Sequence, residues 1–328
     1  MERGKRVAVL GAGAWGTAVA TVLADNGVAV TLWCFEEDCA HDIKSVHINK
    51  KYLPDVILSN RIQVTTSLMD AVSDVDFIFE AIPVRFLRSV FSTIAQQCPQ
   101  AKSSRWVILS KGIEQDTTEI PSTIIEDVFK TPITYAVVAG PNFAQELVQR
   151  VVTATIVASH DQTLAQELAL LLTNDYFKAY VSNDPLGVQV CGAVKNVIAL
   201  IVGIAQGSGY KHENTVAFLV TKGLEEIAQL TSAYKGLPQT AFGLAGLGDV
   251  MLTCAGTLSR NLRFGKHIGG GMSLDEASKK FVPLPEGVGT AQSIYGLVKQ
   301  RGLSLPLCQA AYECVFEGLQ FKDVIARL

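Results

Sequence analysis

Residues 7–24 carry no charged side chain, and this run constrains the fold more than any other feature of the chain. It follows a basic lead-in, residues 1–6, so its length and its flanks would also suit a membrane span or an export signal. Three glycines interrupt the run, however, and its first apolar block, residues 7–10, has the length of a strand. We therefore predict a buried strand, a glycine-rich turn and a helix. No other uninterrupted apolar run is long enough to span a membrane.

The turn inside this run reads Gly11-Ala12-Gly13-Ala14-Trp15-Gly16, which is the pattern G-x-G-x-x-G. Gly11 permits the tight turn, Gly13 lets a pyrophosphate approach the backbone, and Gly16 lets the helix pack against the strand. Free N–H groups at the helix start then hold the anion. The pattern predicts a dinucleotide site, and a glycine-rich turn without a ligand is the alternative.

An acidic residue after the second strand bears on the choice of dinucleotide. Glu36 lies about 20 residues beyond Gly16, where a carboxylate accepts a hydrogen bond from the ribose 2′-hydroxyl of NAD. The alternative is that Glu36, Glu37 and Asp38 form only the acidic start of a helix.

The first half of the chain alternates strand and helix patterns, which indicates βαβ units and a largely parallel sheet. Strands are predicted at residues 6–10, 28–34, 76–82, 106–110, 135–139 and 153–158. Helices are predicted at residues 14–26, 84–97 and 117–129.

From Asp184-Pro185 onward the strand-like runs stop and long helical patterns follow. We predict a Rossmann-type, doubly wound α/β domain over residues 1–184 and an all-helical domain over residues 185–328. Helices of the second domain are predicted at residues 186–206, 212–230, 259–267, 274–280, 289–301 and 306–316.

The composition excludes several classes of protein. The chain has 28 basic and 31 acidic residues and a net charge of −3, so it lacks the basic field of a nucleic-acid-binding protein. None of its seven cysteines forms a C-x-x-C pair, and its five histidines lack metal-ligand spacing. We expect a cytoplasmic protein with free thiols, without a metal and without a membrane span.

Two lysines stand out. Lys111 follows the apolar strand at residues 106–110, where ligands bind in open α/β sheets; a solvated loop lysine is the alternative. Lys195 lies in an apolar helical pattern with Asn196 beside it. A buried lysine has a lowered pKa that suits proton transfer, and a lysine that snorkels to the helix rim is the alternative.

Two polar segments are further candidates for the functional site. A flexible glycine-rich loop, residues 243–248, ends in Asp249, which is either a site carboxylate or a helix cap. Ser259-Arg260-Asn261 begins a predicted helix and could bind a phosphate, and an ordinary capped surface helix is the alternative.

Further sequence blocks occur in order along almost the whole chain, among them Tyr52-Leu53-Pro54, Ser110-Lys111-Gly112, Gly140-Pro141-Asn142, Lys195-Asn196 and Ser259-Arg260-Asn261. With the glycine-rich turn, they resemble those of bacterial NAD(P)-dependent glycerol-3-phosphate dehydrogenases. The resemblance implies interconversion of sn-glycerol 3-phosphate and dihydroxyacetone phosphate by hydride transfer. It also implies a supply of glycerol 3-phosphate for phospholipid synthesis. It leaves the oligomeric state open, with a homodimer among the candidates.

The resemblance also implies roles for individual residues. Lys195 is the expected proton donor and acceptor. Substrate contacts are expected from Lys111, Gly140, Asn142, Lys195, Asp249, Ser259, Arg260 and Asn261. Cofactor contacts are expected from Gly11, Gly13, Ala14, Trp15, Gly16, Phe35, Glu36, Lys111, Ala144, Arg260, Leu284 and Glu286.

The chain departs from the family pattern at two of these positions. Asn142 stands where many members have Ser or Thr, which alters the hydrogen bonding there. Phe35 stands where many have an arginine suited to a 2′-phosphate, so the sequence slightly favours NAD over NADP. Two other functions stay open on the sequence: a different two-domain hydroxyacid dehydrogenase, and a nicotinamide sensor without catalytic activity.

Overall fold

The computed structural model describes residues 5–328, so the first four residues of the basic lead-in lie outside it. The chain forms two compact units. The first contains the residues up to Ser110 together with Pro121–Pro185, and the second contains Lys111–Ile120 together with Leu186–Leu328. The segment Lys111–Ile120, which the sequence prediction assigned to the first domain, therefore belongs to the second unit. The division of the chain into two functional domains, residues 1–184 and residues 185–328, stays a prediction.

The first unit is built on an eight-stranded sheet with helices on both faces. A separate antiparallel pair, β3 and β4, lies outside the sheet. The strands are β1 (Arg6–Leu10), β2 (Ala29–Trp33), β3 (Ile48–Asn49), β4 (Leu53–Ile57), β5 (Ile62–Thr65), β6 (Phe77–Glu80), β7 (Arg105–Ile108), β8 (Tyr135–Ala139), β9 (Thr153–Ala158) and β10 (Phe177–Ser182).

The order of the strands in the large sheet is β10-β9-β8-β7-β6-β1-β2-β5. All neighbours are parallel except β8 and β9, which confirms the predicted α/β class. β1 lies between β2 and β6. From β1 the chain continues to one side of the sheet through β2 and later to the other side through β6, so the strand order reverses at β1. In open α/β sheets, ligands bind at such a switch point.

The charge-free run is a strand, a turn and a helix, as predicted. Val7 and Val9 belong to the apolar cluster on one face of the sheet, and Ala8 and Leu10 belong to the cluster on the other face. Because side chains alternate along a strand and both faces are covered, residues 7–10 of this strand must all be apolar, whereas Arg6 at its start is only half-buried.

Three helices were predicted in the first unit, and all three are present, one with a wrong boundary; the unit has four further helices among the described residues. The helix predicted from residue 117 begins at Pro121, because a proline disfavours helical backbone at the preceding residue and is well suited to the first helical position. The helices are α1 (Ala14–Asp25), α2 (Glu37–Val46), α3 (Leu68–Val72), α4 (Val84–Gln97), α5 (Pro121–Phe129), α6 (Ala144–Val148) and α7 (Gln162–Leu172), with a 3₁₀ turn at Pro99–Ser103.

The second unit is helical, as predicted. Its helices are α8 (Pro185–Gly207), which begins at the end of the first unit, α9 (Glu213–Ala233), α10 (Asp249–Ala255), α11 (Arg260–Gly269), α12 (Leu274–Lys280), α13 (Glu286–Arg301), α14 (Pro306–Tyr312) and α15 (Phe321–Ile325). Further turns are a 3₁₀ turn at Pro238–Phe242 and π-helical turns at Leu244–Gly248 and Glu313–Glu317.

Helix α8 is buried in the second unit. Among residues 5–328, it is the one helix long and apolar enough to cross a membrane by length and composition, which the sequence analysis did not foresee. The whole of its apolar window is buried inside the protein, so α8 is a core helix.

Helices α8 and α11 touch through their backbones. A Cβ atom on Gly203 would lie 2.2 Å from the carbonyl oxygen of Leu262, and one on Gly265 would lie 2.2 Å from that of Leu200. Only glycine permits this approach. The crossing fixes the position of the start of α11 relative to α8.

Candidate active site

The glycine-rich turn joins β1 to α1. Gly11 has a φ of +108°, and a Cβ there would lie 2.6 Å from the carbonyl oxygen of Ala81. A Cβ on Gly16 would lie 2.0 Å from the carbonyl oxygen of Gly11, so α1 packs directly against the turn. No heavy atom lies within 4 Å of the Cβ position of Gly13, which leaves open space above the turn. A pyrophosphate fits this arrangement of open space beside the first N–H groups of a helix.

A buried side chain that sequence reasoning missed holds this turn in place. Asn49 donates from Nδ2 to the carbonyl oxygen of Ala12 at 2.8 Å and to Oγ1 of Thr17 at 2.9 Å. Its Oδ1 accepts hydrogen bonds from the backbone N–H of Tyr52 at 3.2 Å and from Sγ of Cys39 at 3.5 Å. The only sequence signal was its place just before Tyr52-Leu53-Pro54.

The end of β2 presents one apolar and one acidic side chain. Phe35 is 83% exposed. Glu36 directly precedes α2 but forms no side-chain cap of that helix. Its Oε1 lies 2.7 Å from Nζ of Lys51, and the hydroxyl of Tyr52 donates to its Oε2 at 3.0 Å. The carboxylate of Glu36 therefore interacts with Lys51 and Tyr52 rather than with the start of α2.

Three further residues of the predicted site follow β8. Gly140 packs against the neighbouring strand, since a Cβ there would lie 3.0 Å from Cα of Thr155. Asn142 is buried and donates to Oγ1 of Thr155 at 3.2 Å. Ala144 is the first residue of α6. The structure thus places these three in the first unit, beyond the end of a sheet strand.

Lys195 is buried in the middle of α8. Its Nζ donates to Oδ1 of Asp249 at 2.6 Å and to Oγ1 of Thr253 at 3.1 Å. Only 9% of its side chain is exposed, so the alternative of a snorkelling lysine is wrong. Burial lowers the pKa of Lys195 to about 8; the charge of Asp249 opposes this shift and the charge of Lys111 adds to it.

Lys111 completes the same cluster. Its Nζ lies 2.9 Å from Oδ2 of Asp249, and only 14% of its side chain is exposed, so it is not a solvated loop lysine. Burial alone would raise the pKa of Asp249, but the two lysines outweigh it and hold that pKa below its ordinary value. Each carboxylate oxygen of Asp249 therefore holds one ammonium group.

The segment before Asp249 is not the flexible loop that the glycines suggested. It forms the π-helical turn Leu244–Gly248 and runs directly into α10, with Asp249 as the first residue of that helix. A Cβ on Gly246 would lie 2.0 Å from the carbonyl oxygen of Ala241, so close packing requires the glycine. Asp249 is fully buried and faces the two lysines rather than capping a helix.

The start of α11 brings together the predicted phosphate-binding residues. Ser259 is buried and its Oγ accepts a hydrogen bond from the backbone N–H of Leu262 at 3.2 Å. Arg260 is exposed, and its Nη2 donates to the carbonyl oxygen of Pro283. Leu284 follows in the same segment.

Asn261 links three helices of the second unit. Its Nδ2 donates to Oδ1 of Asn196 on α8 at 2.9 Å, and its Oδ1 accepts from the backbone N–H of Gly287 on α13 at 2.9 Å. Gly287 follows Glu286, the first residue of α13, whose charge raises the pKa of Lys195. Asn261 on α11 is thus hydrogen-bonded both to Asn196 on α8, next to Lys195, and to Gly287 on α13, next to Glu286.

Comparison with known proteins agrees with this arrangement. The sequence model described as the N-terminus of NAD-dependent glycerol-3-phosphate dehydrogenase matches residues 6–165, and the model of its C-terminus matches residues 184–326. The chain belongs to the NAD-dependent glycerol-3-phosphate dehydrogenase family. It is therefore an oxidoreductase of the NAD(P)-dependent type.

Relatives match over nearly their full length. The chain is 39% identical to the glycerol-3-phosphate dehydrogenase [NAD(P)+] of Streptomyces griseus, over 98% of this chain and 96% of that protein. It is 38% identical to that of Bacillus subtilis, over 99% and 94%. The crystal structure of the glycerol-3-phosphate dehydrogenase of Coxiella burnetii superposes with a TM-score of 0.92 at 30% identity, covering 99% of this chain and 98% of that one.

Proposed function

We propose that this enzyme interconverts sn-glycerol 3-phosphate and dihydroxyacetone phosphate with NAD or NADP, and that Lys195 moves the proton. The buried contact of Lys195 with Asp249 and Thr253 carries this proposal, because a lysine with a pKa of about 8 can both give and take a proton near neutral pH. The names of the Streptomyces griseus and Bacillus subtilis relatives support the substrate pair.

In the direction of reduction, hydride adds to C2 of dihydroxyacetone phosphate, and Lys195 gives its proton to the C2 oxygen as that oxygen becomes negatively charged. In the direction of oxidation, it takes the proton of the C2 hydroxyl. Asp249 and Thr253 fix Nζ for both steps, since each accepts a hydrogen bond from it. When bound, the nicotinamide cofactor supplies or accepts the hydride.

Lys111 supplies a second positive charge to the same cluster. With both lysines protonated, two positive charges face one carboxylate, which leaves a net positive charge to stabilise a developing oxyanion. The buried surroundings strengthen this interaction relative to water.

The start of α11 offers the groups for the phosphate. Arg260 presents a guanidinium group, which binds phosphate oxygens in pairs. Ser259 uses its oxygen as an acceptor for the helix and can still donate its hydroxyl proton. Asn261 has a second amide proton besides the one it gives to Asn196. Binding the phosphate there positions the reacting carbon.

The first unit offers the dinucleotide site. We assign the pyrophosphate to the backbone of Gly11–Gly16, with Trp15 beside it, and the adenosine ribose to the end of β2 at Phe35 and Glu36. The family resemblance adds Ala144, Leu284 and Glu286 to the proposed cofactor contacts, and Gly140 and Asn142 to the proposed substrate contacts.

The cellular setting is part of the proposal. We infer a cytoplasmic enzyme that acts on a phosphorylated triose and supplies glycerol 3-phosphate for phospholipid synthesis. The net charge of −3 gives it no general attraction to nucleic acid.

An absorbance assay tests the function. Oxidation of NADH and of NADPH is followed with dihydroxyacetone phosphate as substrate. Replacing Lys195→Met should lower kcat by about 10²–10⁴-fold, the range expected for loss of a general acid, while cofactor binding persists. Lys266→Met, which changes an exposed lysine of α11, serves as the control. Near-normal turnover in the Lys195 variant would overturn its role, and wild-type protein inactive with both cofactors would overturn the function.

A further inference from the structure

A cluster of three side chains lies at the end of β2 and consists of Glu36, Lys51 and Tyr52. Nζ of Lys51 lies 2.7 Å from Oε1 of Glu36 and 5.6 Å from the centre of the Tyr52 ring. The hydroxyl of Tyr52 donates to the other carboxylate oxygen of Glu36 at 3.0 Å. Sequence reasoning did not find Lys51, because it is distant from Glu36 along the chain.

This cluster lies beside the glycine-rich turn. β1 and β2 are parallel neighbours with Leu10 opposite Trp33, and the backbone N–H of Gly11 donates to the carbonyl oxygen of Trp33 at 3.1 Å. A dinucleotide whose pyrophosphate binds at the turn therefore places its adenosine ribose at the end of β2. The 2′ position of that ribose distinguishes NAD from NADP.

The ion pair in the cluster is open to solvent. The side chain of Lys51 is 47% exposed and that of Glu36 is 33% exposed. Exposed pairs of this kind are weak and easily exchanged. The hydrogen bond to Glu36 raises the pKa of Lys51, so the lysine stays protonated throughout the neutral range. Lys51 is thus a positive charge that a weak, exposed contact holds beside Glu36.

The two cofactors place different demands on this carboxylate. Glu36 can accept a hydrogen bond from a 2′-hydroxyl, but its negative charge repels a 2′-phosphate. Phe35 offers no positive charge to compensate. An amine that can turn from Glu36 to the ribose would remove this repulsion and bind the phosphate.

We propose that Lys51 determines how well the enzyme accepts NADP: it pairs with Glu36 when the ribose carries a 2′-hydroxyl and turns to the 2′-phosphate when NADP binds. This inference rests on the proposed function for its catalytic consequence. In this proposal Lys51 is a specificity-determining residue that favours NADP, whereas Glu36 favours NAD.

The test combines kinetics with direct binding. In Lys51→Met, kcat/KM for NADPH should fall by about tenfold or more, and that for NADH by less than about threefold, because the lost charge acts on the phosphate alone. By titration calorimetry, the same variant should weaken binding of adenosine 2′,5′-bisphosphate but not of 5′-AMP. Lys50→Met is the matched control, since Lys50 is 56% exposed and pairs with Asp42 at 2.7 Å instead of with Glu36.

A second variant tests the opposite direction. Glu36→Gln releases Lys51, so binding of adenosine 2′,5′-bisphosphate should tighten and kcat/KM for NADH should fall. Equal losses for both nucleotides in Lys51→Met, or no change in either, would overturn the inference. If the wild-type enzyme reduced dihydroxyacetone phosphate with neither cofactor, the proposed function would fail, while the binding comparison would still decide the role of Lys51.

Discussion

At the scale of single residues, Asp249 is the group on which the proposed proton transfer depends. It is fully buried and shared by Lys111 and Lys195, one on each carboxylate oxygen. Removing any one of the three changes the charge around the other two. The proton affinity of Lys195 is therefore adjustable by substitutions that do not touch Lys195 itself.

This sharing predicts shifts in the pH dependence of the reaction. Reduction needs protonated Lys195, so kcat/KM for dihydroxyacetone phosphate should fall as pH rises through about 8, whereas oxidation should rise. The charge of Lys111 lowers this pKa and that of Asp249 raises it. Lys111→Met should thus move the midpoint upward and Asp249→Asn should move it downward, as measured by pH profiles in both directions. Midpoints that stay in place in both variants would contradict this account, and Lys266→Met is the control.

At the scale of secondary-structure elements, Asn49 connects β3 to the turn between β1 and α1. Both protons of its amide nitrogen go to that turn and its helix, through Ala12 and Thr17. The side chain is completely buried, so water cannot replace the lost partners. Asn49 is therefore a positioning residue for the proposed pyrophosphate site.

Replacing Asn49→Leu keeps the approximate size of the side chain and removes both N–H donors without burying a charge. We expect the free energy of unfolding to fall by about 1–3 kcal/mol, the cost of leaving buried groups unpaired. We also expect KM for the cofactor to rise more than kcat falls, because the turn loses its position while Lys195 is unaffected. Steady-state kinetics and denaturant unfolding measure the two effects, with exposed Asn60→Ala as the control. A loss of stability without a change in KM would mean that Asn49 has only a structural role.

The elements that the sequence predicted are those with a strong local signal. The buried strand β1 and the helices α4 and α12 lie at the predicted positions, because continuous apolar runs and helical spacing are local patterns. Four strands were missed: the separate pair β3 and β4, and β5 and β10. β5 and β10 are the two edge strands of the large sheet, and their partly exposed side chains break the apolar run. The pairing of Lys51 with Glu36 could not be predicted either, since it depends on how the chain returns after α2.

At the scale of the whole molecule, the two compact units share the chain in an interleaved way. The segment Lys111–Ile120 leaves the first unit after β7 and belongs to the second. Hydrogen bonds hold it there: Tyr234 donates to the carbonyl oxygen of Thr118 at 2.5 Å, and Ser293 donates to that of Ile113 at 2.9 Å. No single cut of the chain separates the units without removing this segment from its partners.

Limited proteolysis tests this interleaving. In the full chain, Lys111 is paired with Asp249 and largely buried, so trypsin should cleave after it slowly. In a fragment of residues 1–184, its partners are missing and cleavage there should become rapid. Lys130, whose side chain is 77% exposed, should be cut in both proteins and provides the internal control. Equal protection of Lys111 in both would show that the segment is held by the first unit alone.

The backbone crossing of α8 and α11 has a consequence for the size of substrate that the enzyme can use. Gly203 and Gly265 bring the two helices together without intervening side chains. α8 carries the proposed proton donor, and α11 begins with the proposed phosphate-binding arginine. The separation of the two helix backbones that carry these groups is therefore set by main-chain contact, which yields far less to strain than side-chain packing does. We expect the crossing to limit the length of the substrate, because a longer phosphorylated molecule could be admitted only by separating two core helices.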